Sequence, residues 1–335
     1  MKQLYPNFTL GKATRDAYGE ALRELGAQHP EIVVLDADLA KSTKSAAFGE
    51  AFPDRFFNVG IQEANMVGMA GGLASCGKVP FISSFACFVI LKGFDQLRMA
   101  VSYPHLNVKV AGSHGGISPG EDGASQQSVE DIVLACALPG FVVCVPCDEH
   151  QMRAAVRAAY AHDGPVYIRS GRPKAPLVYD DTPADFAFGR ARRVRDGSDV
   201  TVIANGLLVA AALVAADRLA LDGIDVRVVD MATVKPLDED EIRSAAAETA
   251  GIVAAEEHLI HGGLGARVAQ VVCRLQPAPM EFIGLDDTYA ESGDPAALLR
   301  KYGLTADQIE AAARRIVERR VAGTKAYTSS AGGDR

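Results

Sequence analysis

The chain has 335 residues, of which 48% are hydrophobic and 23% charged, with a formal net charge of -8. That length and apolar content support a sizeable core and two domains. The acidic balance, with no basic tract, argues against nucleic acid or an anionic membrane surface as the main partner. No apolar run is long enough to span a bilayer, and the opening MKQLYPNFTLGKATRD lacks an apolar core of signal-peptide length. The six cysteines sit mostly in apolar runs, as buried reduced thiols do, so a cytoplasmic protein is expected.

From the N-terminus, short β-rich runs alternate with helical stretches. EIVVLDAD, RFFNVG, KVPFISS, NVKVAG, FVVCVP and PVYIRSG read as strands, and RDAYGEALRELGAQH and DEHQMRAAVRAAYAHD as helices. The pattern places a first domain over residues 1–175. It lapses in KAPLVYDDTPADFAFGRARRVRDGS, whose prolines and patches of opposite charge mark a connection, taken as 176–198. A second unit, 199–322, follows, with strands in DVTVIAN, DVRVVDM, GIVAAEE and PMEFIGL. Its helices lie from near Leu207 to near Ala220 and in ALLRKYGLTADQIEAAARRIVERR. The small polar tail, 323–335, is expected to be disordered. The predicted class is α/β, with two doubly wound domains, each a mostly parallel sheet flanked by helices. Sites in such folds gather beyond the carboxyl ends of the strands, and Glu63, Phe85, Asp122 and Arg172 all follow strand-like runs closely.

Taken singly, these residues have plain explanations. Glu63 opens a small-residue helix, where the helix dipole favours an acid; Gly68, Gly71 and Gly72 behind it read as close-packing positions. Phe85 and Phe88 are core residues by default. A glycine-rich stretch such as HGGISPGEDGASQQS, residues 114–128, is by default a flexible turn, although it also lets backbone approach a ligand. Cys144, Cys147 and His150 form C-x-x-C-x-x-H, but FVVCVPC reads as a buried strand ending at Pro146. No second ligand pair lies at a zinc spacing.

In combination the motifs are more specific. FFNVGIQEANMVGMAGGLASCG, PFISSFACF and SPGEDGASQQ together resemble the pyrimidine-binding domain of the transketolase family of thiamine diphosphate enzymes. DMATVKPLDEDEI and EEHLIHGGLGARVAQVV resemble that family's C-terminal domain. The resemblance runs from about Arg15 to Arg320. It implies that Glu63, in Gly60-Ile61-Gln62-Glu63, bonds N1′ of the cofactor aminopyrimidine and exchanges its proton. A buried carboxylate suits that exchange, because burial raises a carboxyl pKa toward the working range. The same resemblance implies that Phe85 and Phe88 pack on the pyrimidine ring, with Leu91 at a third position that is often aromatic, and that Asp38 lies near the ring.

For the sugar, the resemblance points to His114 and Asp122 at the hydroxyls near the reacting carbons. Gln126 stands where the family usually has a donor-binding histidine; glutamine hydrogen-bonds but does not titrate near neutrality. Arg15, Ser42 and Arg172, or Arg169 in its place, would grip the terminal phosphate, whose oxygens guanidinium forks fit well. His258 and His261 fall in the domain that is mainly structural in the family and are left out of the site. No GDG motif occurs in the sequence, so the Mg2+ and the diphosphate are assigned to a partner chain. The resemblance therefore implies the C-terminal subunit of a split transketolase, joined to an N-terminal subunit in an α2β2 assembly. Alternatives are the β subunit of a 2-oxo acid dehydrogenase E1 component and a non-catalytic paralogue. DADLAKS, FPDRFFNVG and GEDGASQQ look like transketolase rather than dehydrogenase.

Overall fold

The computed structural model describes residues 1–331. The first domain runs β1 (Leu10–Ala13), α1 (Thr14–Gln28), β2 (Ile32–Asp36), α2 (Ala40–Thr43), α3 (Ala46–Ala51) and β3 (Phe56–Asn58). It continues through α4 (Glu63–Ser75), β4 (Val79–Phe85), α5 (Ala86–Gln96), β5 (Lys109–Ser113), α6 (Asp131–Ala137) and β6 (Val142–Cys144). It ends with α7 (Glu149–Ala161), β7 (Val166–Arg169) and β8 (Lys174–Pro176). The second domain has β9 (Arg192–Arg195), β10 (Val200–Ala204), α8 (Leu207–Leu221), β11 (Val226–Asp230), β12 (Thr233–Lys235) and α9 (Glu239–Glu248). After these come β13 (Ile252–Leu259), α10 (Leu264–Leu275), β14 (Met280–Leu285), α11 (Pro295–Lys301) and α12 (Ala306–Ala331). The stretch expected to be disordered from residue 323 falls partly on the end of α12 and partly on residues 332–335, which lie outside the described residues.

Two sheets with helices on both faces carry the fold. The first has the order β12-β6-β7-β5-β4-β2-β3 and the second β14-β13-β10-β11-β9. Each is parallel except for one antiparallel edge strand, β12 and β9 respectively. Strands covered on both faces are uniformly apolar rather than alternating. β2 (IVVLD) is buried at every position, and β4 and β10 behave the same way. Each fully buried Val, Leu or Ile there contributes about 1.5–3 kcal/mol.

Not every strand follows that rule. β1 (LGKA) pairs with β8 in a separate two-stranded ribbon, and β9 (RRVR) is half-exposed. β12 follows the second domain's β11 in sequence yet completes the first domain's sheet by pairing with β6, so the two domains share a sheet edge.

The strand order reverses beside β2. The chain passes from β2 to β3 on its outer side, then to β4 on its inner side. Such a switch opens a crevice beyond the carboxyl ends of the strands. Asp38 follows the end of β2 and Phe85 ends β4, and α4 is the crossover from β3 to β4. Gly71 is the close-packing glycine of α4, because a Cβ there would lie 2.5 Å from the carbonyl oxygen of Ala100. Gly68 and Gly72 face outward with nothing within 4 Å, so neither makes a close contact within this chain. Ala100 sits in a π-helical segment, Leu97–Ser102, that extends α5. Among the described residues no helix is long and apolar enough to cross a membrane.

Candidate functional site

Glu63 is the first residue of α4 and is only 2% exposed. Its carboxylate has two polar neighbours among the described residues. Ser84 Oγ donates to Oε1 at 3.4 Å, and Lys92 Nζ lies 3.5 Å from Oε2. Both contacts are long for charge-assisted bonds, which run at about 2.7–2.9 Å, so this buried acid is poorly satisfied by its own chain. Lys92 Nζ also lies 4.2 Å from the centroid of the Phe88 ring. Phe88 stacks on Phe85 with centroids 5.5 Å apart and planes 20° apart. Phe85 in turn stacks on His114 at 3.8 Å and 25°. Leu91, the third position, is 49% exposed.

His114 joins the shelf to a charged cluster. It sits at φ 62°, a left-handed conformation in which histidine is among the better tolerated non-glycine residues. Its Nε2 is 3.3 Å from Arg15 Nη1 and its Nδ1 2.8 Å from Ser113 Oγ. Arginine only donates, so Nε2 accepts, and Nδ1 carries the proton and donates to Ser113. Burial first, then the nearby Arg15 and Arg172 guanidiniums, lower the His114 pKa to about 3; the ring is neutral at physiological pH. Asp122 Oδ2 lies 3.8 Å from His114 Nε2 and 3.8 Å from Arg172 Nε.

Arg15 donates to the Ser42 carbonyl at 3.1 Å, and its buried Nε has no partner. Ser42 thus meets the cluster through its backbone. Arg172 is partly exposed and pairs with Glu121 at 2.8 Å, while donating to the Pro119 carbonyl. Gln126 is half-buried and accepts from the Ser125 hydroxyl. Asp38, also in a left-handed conformation, is exposed and accepts from Asn58 Nδ2 at 3.2 Å. The buried Asp36 next to it is structural. It accepts from Leu39 N, Thr43 Oγ1 and Ser45 Oγ and so holds the loop after β2.

Arg169 and Arg172 sit in different surroundings. Arg169 is 4% exposed, with Nε 3.0 Å from Asp131 Oδ2, Nη1 donating to the Glu257 carbonyl and Nη2 to the Ser128 carbonyl. It braces the domain joint through Nη1 and Nη2, while its buried Nε makes an ion-pair contact but no hydrogen bond. Glu257 completes that brace by accepting from the backbone N–H of Ile117 and Ser118. The loop passes so close that a Cβ on Gly116 would lie 2.2 Å from the Glu257 carboxyl carbon. A second-domain acid thus fixes the glycine-rich loop that carries Asp122 and Gln126.

Cys144 and Cys147 are buried thiols whose pKa values burial raises, and Cys147 Sγ donates to Asp230. His258 is fully buried against Leu259 and α6, and His261 is exposed. Lys92, Ser84, Ser113 and Glu121 are the site neighbours that sequence reasoning missed. Lys92 is four residues beyond Phe88, one helical turn away, and that spacing was the available signal.

The chain matches the family described as "Transketolase, pyrimidine binding domain" over residues 11–177 and that described as "Transketolase, C-terminal domain" over residues 189–309. It is 42% identical to a "Putative transketolase C-terminal section" from Methanocaldococcus jannaschii, spanning 92% of this chain and 96% of that protein. It is 40% identical to a "6-deoxy-6-sulfo-D-fructose transketolase subunit SqwH" from Clostridium sp., spanning 91% of this chain and 95% of that one. A solved structure titled "Split gene transketolase, inactive beta4 tetramer" superposes with a TM-score of 0.85 at 47% identity, spanning 92% of this chain and 99% of its own. The chain belongs to the transketolase family and corresponds, over most of its length, to the C-terminal subunits of the family's split members.

Proposed function

We propose that this chain, with an N-terminal partner subunit, transfers a two-carbon ketol unit from a ketose phosphate to an aldose acceptor, using thiamine diphosphate. The observation that carries this reading is the Glu63 carboxylate, buried yet left with only two long contacts beside the Phe85–Phe88 shelf. That donor set fits an aminopyrimidine: an acid for a ring nitrogen and an aromatic face for the ring. When bound, the cofactor supplies the carbon nucleophile that opens the ketose carbonyl to cleavage. Glu63 holds and returns the proton at N1′, and Phe85 and Phe88 keep the ring in line with that carboxylate. Asp38 lies at the same crevice, toward the pyrimidine end.

His114, neutral and fixed as the Nδ1–H tautomer, presents Nε2 as an acceptor toward a sugar hydroxyl, and Asp122 presents a second acceptor. Arg15, with its free Nε, and Arg172 meet the terminal phosphate with the Ser42 loop beside them. The phosphate displaces Glu121 from Arg172. Diphosphate and Mg2+ binding belong to the partner, and an α2β2 assembly places the site between subunits. The related split-gene transketolase, described as an inactive beta4 tetramer, supports a subunit that needs another chain to act. Gln126 sets the donor. It bonds hydroxyls without charge, and the relative named for a sulfonated sugar makes a specialised ketose a rational member of the test panel.

The test is co-expression with the chain encoded beside it. Ketol transfer is then measured from xylulose 5-phosphate, and from 6-deoxy-6-sulfofructose, to aldose acceptors with thiamine diphosphate and Mg2+. Transfer by the mixture and by neither subunit alone is expected, and Glu63→Ala abolishes it while leaving the circular dichroism of the fold unchanged. Normal turnover by that variant overturns the mechanism.

A further inference from the structure

A groove of about 460 Å3 lies beside β12 and α10 and shares no lining residue with the Glu63 site. Two of its cations meet no acid. Lys235 ends β12, and its Nζ donates to two first-domain carbonyls, those of Cys136, at 3.0 Å, and Leu138. An ammonium carries three protons, so one is left over. Arg267 stands on α10, and its Nε donates to the Val234 carbonyl at 2.9 Å. Its Nη1 and Nη2 have no hydrogen-bond partner among the described residues, and neither is shut away from solvent. The outer edge of this guanidinium is therefore open at the groove.

Other cations of the same domain are offset: Arg193 and Arg195 meet acids at 2.7 Å and 2.6 Å. Lys235 and Arg267 have no ion pair among the described residues. They also feel each other. Burial lowers the Lys235 pKa, and the Arg267 charge adds to that lowering. The remaining charges of the lining, Arg274 and Glu239, pair with each other at 2.6 Å and cancel. Carbonyl contacts hold both unpaired side chains in place, so their repulsion persists until an anion arrives. Pro236, Leu237 and Val271 form the apolar part of the lining.

We propose that this groove binds a phosphate monoester, its phosphate bridging Arg267 Nη1 and Nη2 and the spare Lys235 proton, and its organic body against Pro236 and Leu237. A phosphate group carries about −1.5 to −2 charge near pH 7 and three acceptor oxygens. That matches two cations, one of them a fork. A monocarboxylate brings one charge and leaves one cation unmatched. The volume lies within the roughly 300–1,000 Å3 of small-molecule sites, so a sugar phosphate and a nucleotide both fit. The phosphate is the chemistry they share. Lys235 reaches the end of α6, and Arg267 holds the backbone of β12, which completes the first sheet. A bound phosphate therefore tightens the domain joint and raises stability by mass action.

The experiment is calorimetric titration of the full chain, at fixed ionic strength, with inorganic phosphate, ribose 5-phosphate, adenosine monophosphate and acetate. At least one phosphate probe is expected to bind, tenfold or more tighter than acetate, and the best of the three identifies the source as free phosphate, sugar or nucleotide. Arg267→Gln should weaken that binding at least tenfold with the circular dichroism of the fold unchanged, because its Nε2 takes the place of the arginine Nε on the Val234 carbonyl. Lys235→Met should act in the same direction. Arg172→Ala, which strips the phosphate grip proposed for the Glu63 site, should leave it unchanged. No binding by any phosphate probe, binding indifferent to Arg267→Gln, binding lost with Arg172→Ala instead, or equal binding of acetate overturns the proposal. The readout is binding to this chain alone, so its outcome is independent of whether the complex transfers ketol units.

Discussion

Replacing His114 by Asn isolates the electrostatics of the candidate site. Asn tolerates the left-handed backbone at this position but removes the ring stacked on Phe85 and the acceptor for Arg15. The stacking contact is worth about 0.5–1.5 kcal/mol and the hydrogen bond about 1 kcal/mol, so a loss of roughly 1.5–2.5 kcal/mol at neutral pH follows. The pH dependence is more diagnostic. The folded pKa of about 3 lies below the ordinary 6.5. Between those values the unfolded chain binds a proton that the folded chain does not, so stability falls as pH drops through 6.5. Integrating from about pH 7 to about pH 5.5 gives about 1.3 kcal/mol lost in wild type that His114→Asn does not lose. Buried acids such as Asp230 titrate in both proteins and cancel in the difference. Urea unfolding at the two pH values gives the stabilities, and 15N-histidine NMR gives the ring directly. A resonance absent from the variant and titrating near 6.5 in wild type, or identical pH slopes for the two proteins, would refute the reasoning.

Arg169→Ala should destabilise the chain by about 3–5 kcal/mol in thermal or urea unfolding, because it strands the buried Asp131. Arg172→Ala should stay within about 0.5 kcal/mol of wild type while raising KM for a phosphorylated donor; equal stability losses would erase the distinction. Gly72→Ala should stabilise the isolated chain by about 0.4–1 kcal/mol, since its Cβ meets nothing and the helix gains rigidity. Gly72→Leu should leave the isolated chain folded but weaken co-purification with the partner, and unimpaired assembly would remove that face from the interface. Lys92→Met should tighten thiamine diphosphate binding to the assembled enzyme up to about tenfold, or about 1.4 kcal/mol, because the ammonium beside Glu63 no longer competes for the carboxylate; weaker binding would show that Lys92 assists instead.

The strands buried on both faces were legible because continuous apolar runs such as IVVLD and VTVIA admit little else between turn signals. β1, β9 and β12 were not. LGKA, RRVR and TVK are too short and too polar to show a period, and β12's membership of the first sheet depends on a distant partner, β6, that precedes it by several intervening elements. Glu63, Phe85 and Phe88 stood out through their motif. The buried brace made by Arg169, three residues before Arg172, did not, because its partners Asp131 and Glu257 come from elsewhere in the chain.

The two unexplained features of the first domain account for each other. A buried carboxylate without good partners costs about 1–3 kcal/mol, and Glu63 carries that burden within this chain. The surface beside it is apolar and open: Ile61 is 69% exposed and Tyr103 82%, with Met69, Leu91, Met99 and the outward Gly68 and Gly72 on the helices between. Clusters of exposed apolar side chains mark interaction surfaces, and bare glycines on a helix face permit close approach of another backbone. Under the proposed function, one partner covering that face while positioning a cofactor on Glu63 would remove both costs in a single step. Stability and assembly are then linked: ligand and partner together raise the apparent stability of this subunit by RT ln(1 + [L]/Kd), about 2.7 kcal/mol at a hundredfold excess over Kd. In an unpartnered chain, the same exposed face is available for pairing with copies of itself.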